Sequence, residues 1–257
     1  MGESPKALAT VSINPSRRGV KPNSADVKPP MPPFLIRRLY NCAMTITIVQ
    51  ARTWYQSADP VHDFAHVLRV YRISEKIALA EGADLEIVHA AALLHDAAGA
   101  APGGDGKERL EHHLASAQFA GEVLSAEGWP EERIQAVQHC IRAHRFRHQD
   151  ERPQTLEAMC LFDADKLDVL GAIGAARTIA FATLAGQPAY AEPSEQFLRE
   201  GKEAPGEQHS AYHEYLFKLR KVKDALYTST GKSLAAQRDA FLTTFFEQLQ
   251  AECRGER

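Results

Sequence analysis

The sequence predicts an all-α protein, a single bundle of about seven or eight helices. Three observations predict it. Apolar residues recur at three- and four-residue spacing from Thr45 onward, and the pattern never lapses for long. Strand-type alternation appears nowhere convincingly. No segment repeats another, which sets aside solenoids and propellers.

The elements follow in order. Ile46, Val49, Trp54 and Tyr55 share roughly one helical face. Residues 63–81 place Phe64, Val67, Leu68, Tyr71 and Ile77 on another, and Gly82 closes that helix. A third, over 84–98, runs alanine-rich through Leu85, Val88, Ala92 and Leu93 into His95-Asp96. Gly99 to Gly106 reads as a loop. Helical pattern resumes over 111–127, then over 131–144, where Trp129-Pro130 suits a helix N-terminus. Thr155 to Leu184 reads as one long or broken helix, interrupted at Gly171 and Gly174. Gly186 to Gln208, rich in Gly, Pro and Glu, is a long loop. Two final helices fit 209–228 and 233–252.

Ahead of these elements the composition changes. The first 43 residues hold seven of the 14 prolines and seven Lys/Arg against two Asp/Glu, and read as a disordered Pro/Arg-rich tail. An organelle-targeting peptide, a flexible arm and a misplaced start upstream of a natural Met44 all fit this stretch, and the abrupt onset of helical pattern favours the last. Residues 44–257 are then the single domain and carry about −8 of the net charge of −3. The 44% hydrophobic content suits a chain that buries a real core. The overall charge gives no general reason to bind nucleic acid or an anionic membrane. No apolar run reaches the length of a membrane span. Cys42, Cys140, Cys160 and Cys253 lack zinc-site spacing, and four scattered thiols suggest a reducing, cytoplasmic setting.

Chemistry concentrates in the histidines and a few aspartates. His62 and His66, at i, i+4, project from one helix face. His95-Asp96 ends the apolar run Ala90 to Leu94, and an ionisable pair there needs a partner that a metal ion can supply. Asp163, Asp165 and Asp168 cluster farther on, with Asp165 and Asp168 on one face and Asp163 off it. Each piece alone has a plain structural explanation, such as a satisfied core histidine or a solvated turn. Together, on successive helices, they read as a mixed imidazole–carboxylate site suited to Mn²⁺, Fe²⁺, Co²⁺, Ni²⁺ or Zn²⁺. Arg142, Arg145, Arg147 and His148 form a basic knot around His144, suited to phosphate. Gly231-Lys232-Ser233 is not a nucleotide loop, because Leu226 stands where the first glycine of that motif belongs.

These residues resemble the HD-domain superfamily of phosphohydrolases, marked by a His, a His-Asp doublet one helix later and a distant Asp. The matching residues are His66, His95-Asp96 and Asp165. A closer resemblance is to small, stand-alone bacterial members related to nucleoside triphosphate pyrophosphohydrolases. It rests on His62-Asp63-Phe64, His144-Arg145-Phe146, Gly171 to Arg177 and Thr230-Gly231-Lys232, and spans about residues 50–252. The resemblance implies an HD-type helical bundle, one divalent metal (Mn favoured among Mn, Co, Ni, Fe, Mg and Zn) on His66, His95, Asp96 and Asp165, and hydrolysis of phosphoester or phosphoanhydride bonds. The substrate it implies is a small phosphorylated molecule of the nucleotide class, nucleoside triphosphates first, and a homodimer is compatible with it. Some nucleotidase branches carry a Glu just after the doublet; here Ala97-Ala98-Gly99-Ala100 stands there. The base must then be His62, Asp63, Asp168 or a metal hydroxide. Lys166, beside Asp165, is expected to neutralise transferring oxygens. Arg69, His113, His144, Arg145 and Arg177 are expected to handle the substrate.

Two other readings stay open. Some HD proteins add two histidines between the doublet and the last Asp and become di-iron oxygenases; His112, His113 and His144 lie in that interval. A non-catalytic nucleotide-binding module is the third.

Overall fold

A computed structural model describes residues 46–55, 64–98, 106–145 and 151–257, with side chains left out over 106–111. The expected tail lies outside these residues, as do His62, Asp63, Arg147 and His148.

Ten helical elements account for the described chain, and no strand occurs among the described residues. They are α1 (Ile48–Arg52), α2 (Phe64–Glu81), α3 (Leu85–Leu94), α4 (Gly106–Ala126), α5 (Glu131–Ala143), α6 (Leu156–Leu167), α7 (Gly171–Leu184), α8 (Glu195–Glu200), α9 and α10 (Ser229–Cys253). The composite α9 begins as Ala211–Glu214, passes through a π-turn over Tyr215–Leu219, and ends in Arg220–Val222 and a 3₁₀ turn, Lys223–Ala225. The all-α expectation holds. The two elements beyond the expected number are α8, inside the expected loop, and the second helix of the 155–184 pattern, which is divided into α6 and α7.

Helix α3 is apolar on nearly every side because it is central. Asp84 caps it by accepting from the amides of Glu86 and Ile87. Helices α2, α5 and α6 pack on it, and α4 lies along α5. Leu93, Leu94, Ile141, Leu161 and Phe162 are the fully buried centre. His95 and Asp96 follow directly at the inner end of α3.

The long 155–184 pattern is two helices, α6 and α7, bent by 61°. Gly171 opens α7 at φ 70°, a left-handed conformation that glycine adopts without penalty. Helix α7 rests on α10, whose N-terminus is tied back to α6. Buried Asp163 accepts from the amides of Tyr227 (2.9 Å) and Thr228 (2.8 Å) and from the Thr228 hydroxyl (2.7 Å). Gly231 belongs here: a Cβ on it would lie 2.3 Å from Asp163 Oδ2. Among the described residues no single helix is long and apolar enough to cross a membrane.

The Gly186 to Gln208 stretch, read as a loop, contains α8 and is organised around Glu207. That carboxylate accepts from the Ser194 amide (2.7 Å) and hydroxyl (2.6 Å), the Ala204 amide (2.6 Å) and His213 Nε2 (3.0 Å).

Candidate metal centre

Helix ends set the centre. His66 lies in the first turn of α2, His95-Asp96 just past α3, and Asp165 in the last turn of α6. Nε2 of His66 stands 3.3 Å from Nε2 of His95 and 3.3 Å from Oδ1 of Asp165; His95 Nε2 is 3.4 Å from Asp96 Oδ2. Two ligands each ~2.1 Å from one ion stand ~3.0–3.4 Å apart at octahedral or tetrahedral angles. The chain therefore brings His66, His95 and Asp96 to the separations that a shared cation requires, with Asp165 beside His66 as the neighbouring carboxylate.

The tautomers agree. His66 Nδ1–H donates to Asp168 Oδ2 (2.7 Å), and His95 Nδ1–H donates to the Ala92 carbonyl (2.8 Å). Each Nε2 is then a lone pair, and two lone pairs facing each other at 3.3 Å repel unless a cation or proton lies between. Asp96 adds a buried Oδ1 that no described residue hydrogen-bonds. An orphaned carboxylate oxygen among imidazoles fits a divalent metal.

Electrostatics follow from burial and charge. Burial works against a charged His66, but Asp165 and Asp168 outweigh it and push its pKa up to about 9. Burial also opposes the ionised carboxylates of Asp96 and Asp165, yet the surrounding imidazoles, with Lys166 beside Asp165, hold both well below the usual range. His144, fully desolvated, falls to about 3 and stays a neutral imidazole.

A pocket of about 560 Å³ opens onto the centre. Lys166, whose Nζ donates to Asp165 Oδ2 (2.5 Å), lines it together with Arg145 and Arg177. Other expected residues are placed differently. Asp168 is fully buried and accepts from His66, from Arg69 Nε (2.7 Å) and Nη2 (3.0 Å), and from Arg177. With burial opposed by these donors its pKa falls to about 2, so the expected base role does not suit it; it orients His66 instead. Arg69 serves that carboxylate rather than the pocket wall. His144 is buried against the metal centre, its Nε2 3.8 Å from Asp96 Oδ1. His113 is not on the pocket wall: it continues the stripe of Ala117, Ala120 and Leu124 that α4 buries, and its neighbour His112 faces Asp96 Oδ1 at 3.5 Å. Arg142 turns outward to Glu151. His62 and Asp63 lie outside the described residues.

Asp96, His112 and His144 form a second cluster with metal-ligand spacing, sharing Asp96 with the first. Sequence reasoning raised these histidines but did not choose His112 for the site; the phase of the buried stripe on α4 was the available signal. It missed Gln187, His209, Glu214 and Lys218 on the pocket wall, for which the sequence carries no motif.

Comparison with known proteins adds the lineage. The HD domain family matches residues 63–170. YpgQ of Bacillus subtilis is 32% identical over 213 residues, 80% of this chain and 93% of its own. The chain belongs to the HD-domain family. The crystal structure of YpgQ in complex with ADP superposes with a TM-score of 0.60 at 30% identity, covering 80% of this chain and 97% of that one. A Lactobacillus plantarum protein gives 0.62 at 27% identity over 81% and 95% of the two chains. An HD-superfamily hydrolase from Bacillus thuringiensis gives 0.61 at 26% identity over 80% and 94%. The fold is thus that of HD-superfamily hydrolases, and its His/Asp cluster can hold a divalent metal.

Proposed function

We propose that this HD protein is a metal-dependent phosphohydrolase that cleaves phosphoanhydride or phosphoester bonds of nucleotides, nucleoside triphosphates foremost, with Mn²⁺ as the favoured metal. The observation that carries it is one pocket joining the His66–His95–Asp96 cluster and the adjacent Asp165 to three cationic side chains, Lys166, Arg145 and Arg177. That the relative YpgQ has been crystallised with ADP supports the nucleotide class.

A bound metal supplies Lewis acidity toward phosphoryl oxygens and acidifies water. The chain supplies the rest. Lys166 and the two arginines neutralise charge spreading over the transferring phosphoryl group. Asp168, held by Arg69 and Arg177, keeps His66 Nδ1 protonated and its Nε2 aimed at the centre. His144 donates Nδ1–H to the Ile141 carbonyl, which leaves its Nε2 as an acceptor beside Asp96.

The Asp96–His112–His144 cluster favours a second reading, a two-metal centre of the di-iron oxygenase kind. An anaerobic screen of phosphate and pyrophosphate release from nucleoside triphosphates, with Mn²⁺, Co²⁺, Mg²⁺ or Zn²⁺, decides between them. Release without O₂ is expected. No release with any of these metals, together with iron-dependent O₂ uptake, would overturn the hydrolase reading.

A further inference from the structure

The pocket has two chemically different parts. One is the metal centre with its cations, suited to phosphate. The other is contributed by α9 and by Phe181 of α7, and no part of the reaction uses it. Helix α9 presents Ala211, Glu214, Lys218 and Val222 to the pocket, a stripe at i, i+3, i+7 and i+11. Its π-turn covers Tyr215–Leu219, with Glu214 immediately before it and Lys218 within it. π-Turns inside helices occur often at functional sites.

Three features of this wall point to one kind of ligand. First, Lys218 Nζ donates to Glu214 Oε1 (2.8 Å), and the two side chains are 30% and 29% exposed. The lysine offsets carboxylate charge at this wall, and the exposed part of Glu214 lines the pocket with acceptor oxygens. Second, Phe181 of α7 lines the pocket while remaining 48% exposed, a flat apolar surface of the sort on which a heterocycle stacks. Third, the wall is rigid. The amides of Ala211 and Tyr212 donate to the carbonyls of Pro188 and Ala189 (both 3.1 Å). Buried His213 donates from Nε2 to Glu207 and accepts at Nδ1 from the Ser210 hydroxyl (2.7 Å). A preorganised polar group discriminates because it does not rearrange to accept the wrong ligand.

Resting on the nucleotide reading above, we propose that this wall is the nucleoside subsite, with Phe181 stacking the base and Glu214, steadied by Lys218, as the specificity-determining residue. Glu214 accepts a hydrogen bond from a donor on the nucleoside. Sugar hydroxyls and an exocyclic base amine share that chemistry.

The test measures kcat/KM, with Mn²⁺, for four nucleoside triphosphates: a parent with an exocyclic amine, its 2′-deoxy and 3′-deoxy forms, and the analogue whose base lacks the amine. Wild type is expected to lose about tenfold on whichever analogue removes the recognised donor, which separates sugar from base. In Glu214→Gln that discrimination shrinks to within about threefold, mainly through a higher KM for the parent. Because each ratio is taken within one preparation, it does not depend on the fraction of the variant that folds, and a merely structural Glu214 would leave it unmoved. Phe181→Ala raises KM for all four nucleotides more than it raises the inhibition constant of inorganic tripolyphosphate. Discrimination in Glu214→Gln equal to that of wild type, or no discrimination in wild type, overturns the subsite while the hydrolase reading stands. If wild type turns over no nucleotide at all, the function proposed above falls and the subsite falls with it.

Discussion

The segment from α2 to α6 and the segment from α7 to α9 both line the pocket, and they are held by different forces. In the first, buried charges do the positioning: Asp168 gathers His66 and Arg69, and Asp165 gathers His66 and Lys166; from the second segment Arg177 of α7 reaches back to join Asp168. In the second, positioning comes from the backbone and one loop carboxylate, Glu207, through neutral amides and hydroxyls. A charge network deep in a low-dielectric interior is intolerant of losing a member, whereas a hydrogen-bonded loop can be altered at its tip. The contrast suits a division between fixed chemistry and adjustable recognition.

The strongest break of this contrast is removal of a ligand. His95→Ala or Asp165→Ala should lower metal content and cut hydrolysis by about three orders of magnitude or more, with far-ultraviolet circular dichroism preserved. Full metal and full activity in Asp165→Ala would remove that residue from the ligand set. Next in size is Asp168→Asn, which keeps the shape but not the charge that orients His66. Metal affinity should fall about 10- to 100-fold, read by titration with a chromogenic chelator. An unchanged affinity would make Asp168 merely structural.

A smaller effect concerns protons. With the chain's own charges His66 titrates near 9, so a metal must displace a proton from it at neutral pH. Apparent metal affinity should therefore rise about tenfold per pH unit between pH 6.5 and 8.5. The sign for folding is the opposite. A pKa raised in the folded state stabilises fully below 6.5 and is lost as pH rises through about 9, so chelated protein should show a falling Tm over that window. A flat Tm there would show that Asp165 and Asp168 do not hold the proton on His66. The smallest effect belongs to the second segment. Glu207→Gln should lower Tm and raise KM for nucleotides while leaving metal stoichiometry as in wild type, measured by elemental analysis. Loss of metal in that variant would erase the distinction between the segments.

Much of the first segment was legible in the sequence, because ligand chemistry restricts residue type and helix ends restrict spacing. His66, His95-Asp96 and Asp165 stand out for that reason. The helices were legible because each buries one stripe against α3 or its neighbours. Roles that depend on three-dimensional neighbours were not. Asp168 sits at ligand spacing from Asp165 yet serves as an orienting carboxylate, which only its arginines reveal. His112 and His113 differ by one position, and the phase of α4 separates them. Glu214 and Lys218 look like an ordinary i, i+4 surface pair until the π-turn and the returning loop enclose them. The 186–208 stretch carries the composition of a loop, and its order comes from Glu207, a hub no local pattern announces.

Asp163 has a consequence for signalling across the domain. It shares α6 with Asp165, two residues away, and grips the amides that begin α10. If a cation beside Asp165 steadies α6, reciprocity of coupled equilibria requires that it favour the docking of the C-terminal helix by the same free energy by which that docking favours the cation. Deuterium uptake at Tyr227 and Thr228 then serves as a remote gauge of metal occupancy, slowing as the centre fills although neither residue touches it.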